Sequence, residues 1–144
     1  MESANIVLTG KQQVELVREE APIAPEGGLL VRTRTSLIST GTECICYRSE
    51  MDEGSHWAGW VKYPFYLGYS NVGEVVELGA GVEGYAVGDR VFSTASHRQY
   101  AQVGGGAVKI PESVSDESAA WSKLATIAQT GVRRAELVMG ARVV

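Results

Sequence analysis

Apolar and polar residues alternate along most of this chain, and the alternation predicts short β-strands. The longest alternating run spans residues 29–38, where Leu29, Val31, Thr33 and Thr35 would share one face of a strand. Shorter runs predict strands at residues 6–8, 13–18, 72–78, 91–92, 99–103 and 107–110. Glycines between these runs favour tight turns, because glycine reaches positive φ without a Cβ clash. The pattern therefore indicates a mainly β domain.

Two segments are predicted to be helical. Residues 39–43 combine small hydroxylated residues with one glycine and favour the start of a short helix, with Thr40 or Thr42 as its cap. Ser115 opens the second helix, because serine accepts from free amides and the two acidic residues after it suit the positive end of the helix dipole. Helical spacing in this segment predicts a buried stripe of Ala119, Ala120, Leu124, Ile127, Ala128 and Gly131.

A loop with two tryptophans separates the first predicted helix from the next strand. Trp57 and Trp60 lie in the irregular stretch 49–64, which also contains Gly54 and Gly59. One interpretation is that the indoles form a lid over an apolar substrate. The alternative is that they pack the loop onto the sheet, and the sequence does not distinguish the two.

Composition restricts the class of protein. The chain has 144 residues, of which 44% are hydrophobic, and this is sufficient for the core of one domain. Its net charge of −4 and pI of 5.2 argue against a nucleic-acid-binding protein. No apolar stretch is long enough for a membrane-spanning helix, and the N-terminus lacks the pattern of a signal peptide. Cys44 and Cys46 are too close in sequence to form a disulfide readily, so a reducing, cytoplasmic location is expected.

No local motif establishes an activity. His56 and His97 are the two histidines, and each lies in a polar setting typical of a surface side chain. The two cysteines have the wrong spacing for a zinc knuckle, so buried thiols are the simpler interpretation. The glycine clusters at 79–81 and 104–106 are not followed by an apolar helix that would direct amides at a phosphate, and they predict turns.

The order of several motifs nevertheless resembles one protein family. Residues 67–75 read Leu-Gly-Tyr-Ser-Asn-Val-Gly-Glu-Val, residues 87–91 read Val-Gly-Asp-Arg-Val, and a Gln-Tyr-Ala strand follows at 99–101. Residues 110–120 then lead into the predicted long helix. Together these segments resemble the N-terminal, GroES-like domain of the medium-chain dehydrogenase/reductase family, which includes alcohol dehydrogenases and quinone oxidoreductases.

The resemblance implies a mainly β fold, a GroES-like partly open β-barrel with short helices over residues 1–114. Residues 115–144 would form a linker helix and, at the apolar run 141–144, the first strand of a truncated dinucleotide-binding domain. In this family hydride passes between NAD or NADP and an alcohol, a carbonyl or an activated double bond, in the cleft between the two domains. The chain alone would be inactive, and NADP is slightly preferred by analogy with metal-free relatives. A homodimer is implied for the full-length protein and a monomer for this chain, with a small-molecule substrate and no nucleic-acid or membrane partner.

Family positions that carry zinc ligands hold hydroxylated residues here. By alignment with the zinc alcohol dehydrogenases these positions are Ser39, Tyr69, Ser70 and, near the last cysteine, Thr126. Hydroxyl groups are poor zinc ligands, and the insertion with the structural-zinc cysteines is missing after Phe92. The resemblance therefore implies an enzyme without zinc. Residues 36–43 are similar to a zinc-free branch that includes bacteriochlorophyllide-type dehydrogenases.

Without a metal, another group must polarise the carbonyl oxygen that receives hydride. Tyr69 is the first candidate, because its hydroxyl donates a hydrogen bond and the family fold directs that position into the cleft; the alternative is a packing tyrosine. Ser39 and Thr42 are further catalytic candidates. Candidate substrate contacts are Thr40, Ser70, Trp57 and Trp60. Candidate cofactor contacts are Thr130, in a Thr-Gly pair resembling one near the nicotinamide, and Thr126.

Two other hypotheses stay open. The chain could be a GroES-like module without catalysis, serving in binding or assembly, and a nucleotide-binding glycine motif downstream would argue against that. Alternatively, the ligand alignment is shifted and zinc is bound through Cys44, Cys46 and His56, which metal analysis of the protein would decide.

Overall fold

Two antiparallel sheets and four short helices form the fold in the computed structural model, which describes residues 1–136, 140 and 142. The strands are β1 (Glu2–Gly10), β2 (Gln13–Glu20), β3 (Leu29–Ser36), β4 (Phe65–Tyr66), β5 (Asn71–Leu78), β6 (Arg90–Ser93), β7 (Tyr100–Val103) and β8 (Val108–Lys109). The helices are α1 (Thr42–Arg48), α2 (His56–Trp60), α3 (Asp116–Ala120) and α4 (Ser122–Arg134). The strand predicted at 141–144 lies, apart from Arg142, outside the described residues.

The strand order is β2-β1-β4 in the smaller sheet and β7-β3-β5-β6-β8 in the larger one. Within the described residues the two sheets do not close into a barrel, and the predicted mainly β, partly open fold is confirmed. In the hairpin of β1 and β2, Leu8 pairs with Val14 and Ile6 with Leu16. Leu8 is buried, whereas Val14 and Leu16 are exposed, so β1 supplies the core side of the hairpin.

Buried side chains form three clusters around the sheets. The first contains Leu29, Val31, Val75, Val91, Ala101 and Val103; the second Leu8, Cys46, Val61 and Leu67; the third Val72, Ala119 and Ala120. The alternation read from the sequence thus places its apolar residues inside. Burial of each large aliphatic side chain contributes about 1.5–3 kcal/mol. The second cluster lies beside α1 and α2 and forms the floor of the candidate site.

The segment from His97 to Gln99 joins the two sheets through its main chain. The Ile6 amide donates to the His97 carbonyl, and the Gln99 amide donates to the Ala4 carbonyl, both at 2.9 Å. On the other side, the Thr33 amide donates to the Gln99 carbonyl at 2.9 Å. One short segment therefore fixes β1 relative to β3.

Two details differ from the sequence-based expectations, and a third agrees with them. The N-cap of α1 is Gly41, without a side-chain cap, so neither Thr40 nor Thr42 has that role. The loop with the two tryptophans contains α2, whose amide at Ala58 donates to Ser55 Oγ. The serine cap predicted at Ser115 is present, because its Oγ accepts from the Ser118 amide at 3.1 Å.

The predicted buried stripe is correct at its start and wrong along α4. Ala119 and Ala120 are buried, but Ile127 is 54% exposed, and Ala128 and Gly131 are exposed too. The helix is interrupted at Trp121, and no described element covers the far part of α4. The longest helix in the described part of the chain is α4, with 13 residues, and no helix there is both long and apolar enough to cross a membrane.

Candidate functional site

A cavity of about 290 Å³ lies where α1, the turn before β5 and α4 meet. Its walls are mostly apolar and include Trp60, Phe65, Leu67 and Ile127. The polar residues that border it are Thr42, Glu43, Tyr69 and Lys123. An apolar cavity with a few convergent polar groups is the usual form of a small-molecule site.

Tyr69 is held at this cavity by its two neighbours in the chain. Gly68 has a φ of +103°, a conformation that favours glycine and sets the direction of the turn. Ser70 is buried, and its Oγ donates to the Ala120 carbonyl at 2.5 Å. The Ser70 carbonyl accepts from the Leu37 amide at 2.9 Å. Tyr69 therefore projects from a turn that is fixed on both sides.

The Tyr69 hydroxyl differs from those of Tyr63, Tyr66 and Tyr85, which are hydrogen-bonded within the fold. Those of Tyr63 and Tyr85 donate to main-chain carbonyls at 2.8 and 2.7 Å, and that of Tyr66 donates to Glu19. Among the described residues, the Tyr69 hydroxyl has no hydrogen-bond partner. It is consequently available to a ligand in the cavity.

A buried acid–base pair lies behind the cavity wall. His97 Nε2 is 2.9 Å from Glu43 Oε2, and the two side chains are 7% and 3% exposed. The other ring nitrogen, Nδ1, lies 2.8 Å from Ser36 Oγ. Glu43 Oε1 accepts from the Ser39 amide at 2.8 Å. Every polar atom of the two side chains thus has a partner, as burial of ionisable groups requires.

Glycine at residue 68 is required by this pair as well as by the turn. A Cβ added to Gly68 would lie 2.8 Å from both Cδ2 and Nε2 of His97. The His97 amide also donates to the Leu67 carbonyl at 2.8 Å. His97 is therefore packed directly against the turn that carries Tyr69.

A second cavity of about 450 Å³ lies on the other side of the pair. Ser36, Glu43, Leu67 and His97 border it, together with apolar residues of the first hairpin. Two of its bordering residues, Val14 and Ile38, are largely exposed, so the cavity opens to solvent. Glu43 and Leu67 border both cavities and form part of the wall between them.

The charge of Glu43 also acts on a thiol at the same site. Cys46 is fully buried and borders the cavity of Tyr69. Burial raises the pKa of the Cys46 thiol, and the negative charge of Glu43 raises it further. Both cysteines of the chain are free.

The residues that border the cavity do not fit the tetrahedral zinc site of the zinc alcohol dehydrogenases. Thr42 and Tyr69 offer neutral hydroxyls, Glu43 is already bonded to His97 and Ser39, and Cys46 supplies a single thiol. Among residues 1–136, 140 and 142, no three His, Cys, Asp or Glu side chains are close enough to share a metal ion. His56, one member of the alternative ligand set, is exposed on α2 and stacks on Trp60.

The structure brings together some of the residues selected from the sequence. Thr42, Tyr69 and Trp60 border one cavity. Ser39 lies next to it and contacts Glu43 through its amide, while Thr40 is exposed. Trp57 packs against the second hydrophobic cluster, and Ser70 bonds to Ala120 instead of facing the cavity.

The two threonines of α4 lie elsewhere. Thr126 borders a separate groove between α4 and β8, and its hydroxyl donates to the Ser122 carbonyl at 2.8 Å. Thr130 is exposed, and its hydroxyl donates to the Thr126 carbonyl at 2.9 Å. The α4 residues that border the cavity of Tyr69 are instead Lys123 and Ile127.

Sequence reasoning missed Glu43 and His97. His97 was expected at the surface because its neighbours in the chain are polar, but it is buried between the sheets. The pair is separated by 54 residues, so no local spacing relates them. A weak signal existed, since His97 directly precedes the alternating residues of β7 and a residue there is adjacent to the core.

Comparison with known proteins agrees with this fold. The family model of the alcohol dehydrogenase GroES-like domain matches residues 26–109. Acryloyl-coenzyme A reductase of Metallosphaera sedula is 34% identical over 89 residues, which are 61% of this chain and 24% of that protein. The 2-desacetyl-2-hydroxyethyl bacteriochlorophyllide A dehydrogenase of Cereibacter sphaeroides is 34% identical over 97 residues, 67% of this chain and 29% of that protein. This chain thus spans about a quarter of the length of these relatives.

Solved structures show the same relationship. The human synaptic vesicle membrane protein VAT-1 homolog-like protein superposes with a TM-score of 0.69 at 25% identity, over 83% of this chain and 39% of that chain. The 2R,3R-butanediol dehydrogenase of Bacillus subtilis gives a TM-score of 0.76 at 21% identity, over 92% of this chain and 47% of that one. The chain therefore belongs to the alcohol dehydrogenase GroES-like domain family, the N-terminal domain of the medium-chain dehydrogenase/reductases.

Proposed function

We propose that this chain is the substrate-side domain of a zinc-independent oxidoreductase that transfers hydride between NAD(P) and an alcohol, a carbonyl or an activated double bond. It acts together with a dinucleotide-binding domain and is inactive without it. The observation that carries the proposal is the free hydroxyl of Tyr69 at the edge of an apolar cavity that α4 also borders. Supporting it, the relatives are dehydrogenases and reductases.

Tyr69 is the group that replaces the metal. Its hydroxyl donates a hydrogen bond to the substrate oxygen, on which negative charge develops during carbonyl reduction. Thr42, which borders the same cavity, supplies a second donor. Ser39 and Ser70 act indirectly, because their polar groups fix Glu43 and the turn at Tyr69. The nicotinamide, when bound, supplies or accepts the hydride.

The apolar wall selects the substrate and limits water. Trp60 stacks edge-on against Phe65, with ring centroids 5.1 Å apart, and both border the cavity. Such a wall favours an apolar substrate carrying one oxygen function. Trp57 supports this wall from below, since it packs against the second hydrophobic cluster. Thr40 is exposed two residues before α1 and does not border the cavity, so its contact with a substrate is the weakest part of the proposal.

The cofactor is NAD or NADP, with NADP preferred. A solved Escherichia coli relative of 23% identity is a complex with NADH, and Staphylococcus aureus TarJ, of 21% identity, is a complex with NADPH. In this chain the exposed face of α4, with Thr126 and Thr130, is the surface that meets the cofactor. The full-length protein is proposed to be a cytoplasmic homodimer, with this chain monomeric when alone.

Cofactor titration of the full-length protein tests the proposal. NADPH and NADH are titrated by fluorescence, and turnover is then followed with a panel of aldehydes, ketones, enones and alcohols. Tyr69→Phe should lower kcat by about tenfold to a hundredfold, the usual effect of losing one donor to a developing charge, with cofactor affinity unchanged. Tyr47→Phe is the matched control, because Tyr47 borders the second cavity only. Absence of cofactor binding would contradict the enzyme and favour a binding module.

A further inference from the structure

Glu43 and His97 form a buried ionisable pair beside the candidate cavity. Burying both groups costs solvation free energy, and apolar residues of similar volume usually serve a core at least as well. Glu43 is 3% exposed and His97 is 8% exposed, yet both are retained beside a cavity. A buried, coupled acid and base next to a ligand cavity is the arrangement that proton-transfer sites use.

The hydrogen-bond partners of Glu43 and His97 fix the orientation of both side chains. Ser36 Oγ engages His97 Nδ1 and so fixes the ring with Nε2 towards Glu43. The Ser39 amide holds Glu43 Oε1, which orients the carboxylate. Gly68 allows the ring to lie against the turn that carries Tyr69. Each contact positions the pair directly behind the residue proposed to bind the substrate oxygen.

We propose that Glu43 and His97 hold the proton that accompanies hydride transfer and exchange it with the substrate oxygen through the cavity of Tyr69. This inference rests on the proposed function. Glu43 is the member that meets the cavity, because it borders the cavity of Tyr69 and His97 does not. Tyr69 holds the oxygen by a hydrogen bond, and the pair supplies or removes the proton.

The balance of one turnover can be written for carbonyl reduction. Hydride arrives from the reduced cofactor with both electrons of its C–H bond and forms a C–H bond at the carbonyl carbon. The π electrons move to oxygen, and the oxygen takes one proton from the Glu43–His97 pair. The cofactor is left oxidised, and the pair regains a proton from water that enters the cavity when the product leaves. Alcohol oxidation runs these steps in reverse.

Other titratable groups face the pair and enter any pH profile. They are Cys46 and Lys123 with Tyr69 at the first cavity, and Cys44 with Tyr47 at the second. Burial is the main cause that raises the pKa of Cys46, and the charge of Glu43 raises it further. Variants of Glu43 and His97 must therefore be compared with a variant of a residue that borders a cavity without contacting the pair.

Nuclear magnetic resonance of the 144-residue chain tests the pair without any cofactor. Long-range proton–nitrogen spectra report the ring nitrogens of both histidines across a pH titration. Glu43→Gln should change the ring shifts and the titration of His97, whereas His56, exposed on α2, should stay unchanged. Identical His97 titrations in the two proteins would overturn the coupling on which the proposal depends.

Turnover in the full-length protein tests the role. With NADPH and the first carbonyl substrate that the panel identifies, Glu43→Gln and His97→Gln should each lower kcat by about a hundredfold or more, the scale of lost acid–base catalysis. The pH profile of kcat should differ between the wild type and Glu43→Gln. Ser36→Ala should lower kcat less, and the control Val14→Thr, at an exposed residue that borders the second cavity, should not.

The outcomes separate this inference from the proposed function. If Glu43→Gln keeps the wild-type melting temperature, kcat and pH profile, the pair is structural only and the inference is overturned, while the enzyme remains. If the wild-type protein turns over no substrate with either cofactor, the proposed function is overturned and the inference with it. Should His97→Gln not fold, Glu43→Gln and Ser36→Ala decide the question.

Discussion

The imidazole of His97 lies so close to Gly68 that a Cβ at residue 68 would be 2.8 Å from two of its ring atoms. This contact, together with a φ of +103° at Gly68, makes the turn before Tyr69 intolerant of any side chain. The candidate hydroxyl and the buried pair are therefore one structural unit.

Gly68→Ala should destabilise the chain by more than its backbone conformation alone explains. Gly81→Ala is the matched control, because Gly81 has a φ of +77° but open space around its Cα. The control should cost about 1–2 kcal/mol, the penalty of a left-handed conformation. Denaturant unfolding should show a larger loss at Gly68 because the His97 contact adds to it. Equal losses at the two positions would mean that the ring moves aside freely.

In the first hairpin, truncation of a side chain should destabilise the fold on β1 but not on β2. Leu8 is fully buried, and Leu8→Ala should lower the free energy of unfolding by about 2–5 kcal/mol. Leu16, on the neighbouring strand, is 61% exposed, and Leu16→Ala should change stability by less than about 0.5 kcal/mol. Chemical denaturation of both variants measures the difference. A large loss at Leu16 would indicate that β2 is covered in solution.

Ionisation of Asp116 should make the free energy of unfolding depend on pH under acidic conditions. Arg34 Nε lies 2.6 Å from its Oδ2, and an Arg90 guanidinium nitrogen lies 2.7 Å from its Oδ1. The hydrogen bond from Arg34 is the main cause that lowers the pKa of Asp116, and Arg90 lowers it further against the opposing effect of burial. Because the folded pKa is depressed, the stabilisation is present above the unfolded value of about 3.9 and is lost as pH falls through the folded one.

Asp116→Asn should therefore cost about 1 kcal/mol at neutral pH, as expected for a partly exposed ion pair, and should flatten the loss of stability below about pH 4. Thermal unfolding between pH 7 and pH 3 measures both effects. Glu117→Gln, in the same first turn of α3, is the control and should leave the pH dependence unchanged. If Asp116→Asn loses stability below about pH 4 as steeply as the wild type does, other carboxylates cause that loss.

The two tryptophans of α2 should separate into one structural residue and one substrate contact. Trp57 packs against the second hydrophobic cluster, so Trp57→Ala should destabilise the fold by about 3 kcal/mol or more. Trp60 is 46% exposed and borders the cavity, so Trp60→Ala should raise KM for the substrate with a much smaller change in melting temperature. A large loss of stability in Trp60→Ala together with a raised KM in Trp57→Ala would contradict this assignment.

Local sequence patterns predicted most of the strands correctly. They did not predict which helix faces pack against the sheets or how the helices are capped. Residues 29–36 alternate strongly, and both ends of that strand were placed within two residues. The α4 stripe failed at Ile127 and Gly131 because amphipathicity shows which face could be buried, not whether anything covers it. The predicted cap of α1 was wrong because the amides of Glu43 and Ile45 already donate to the main-chain carbonyls of Ser39 and Gly41.

Sequence reasoning identified only part of the candidate site. Tyr69 and Thr42 were reached through the family resemblance, and they border one cavity. His97 was not reached, because its partner Glu43 is 54 residues away and polar neighbours conceal its burial. Long-range pairs of this kind depend on topology, here on the segment that crosses between the sheets.

That crossing segment has a consequence for tolerance to change. It joins β1 to β3 with the amides and carbonyls of residues 97–99, to which the Gln99 side chain adds one bond by accepting from the Ala4 amide at 2.9 Å, so most substitutions there leave the main-chain connection in place. Proline is the exception, because at residue 99 it would remove the amide that donates to Ala4. Main-chain hydrogen bonds therefore set most of the relative position of the two sheets. Exposed side chains of residues 97–99 can vary with little effect on the cavity that the sheets support.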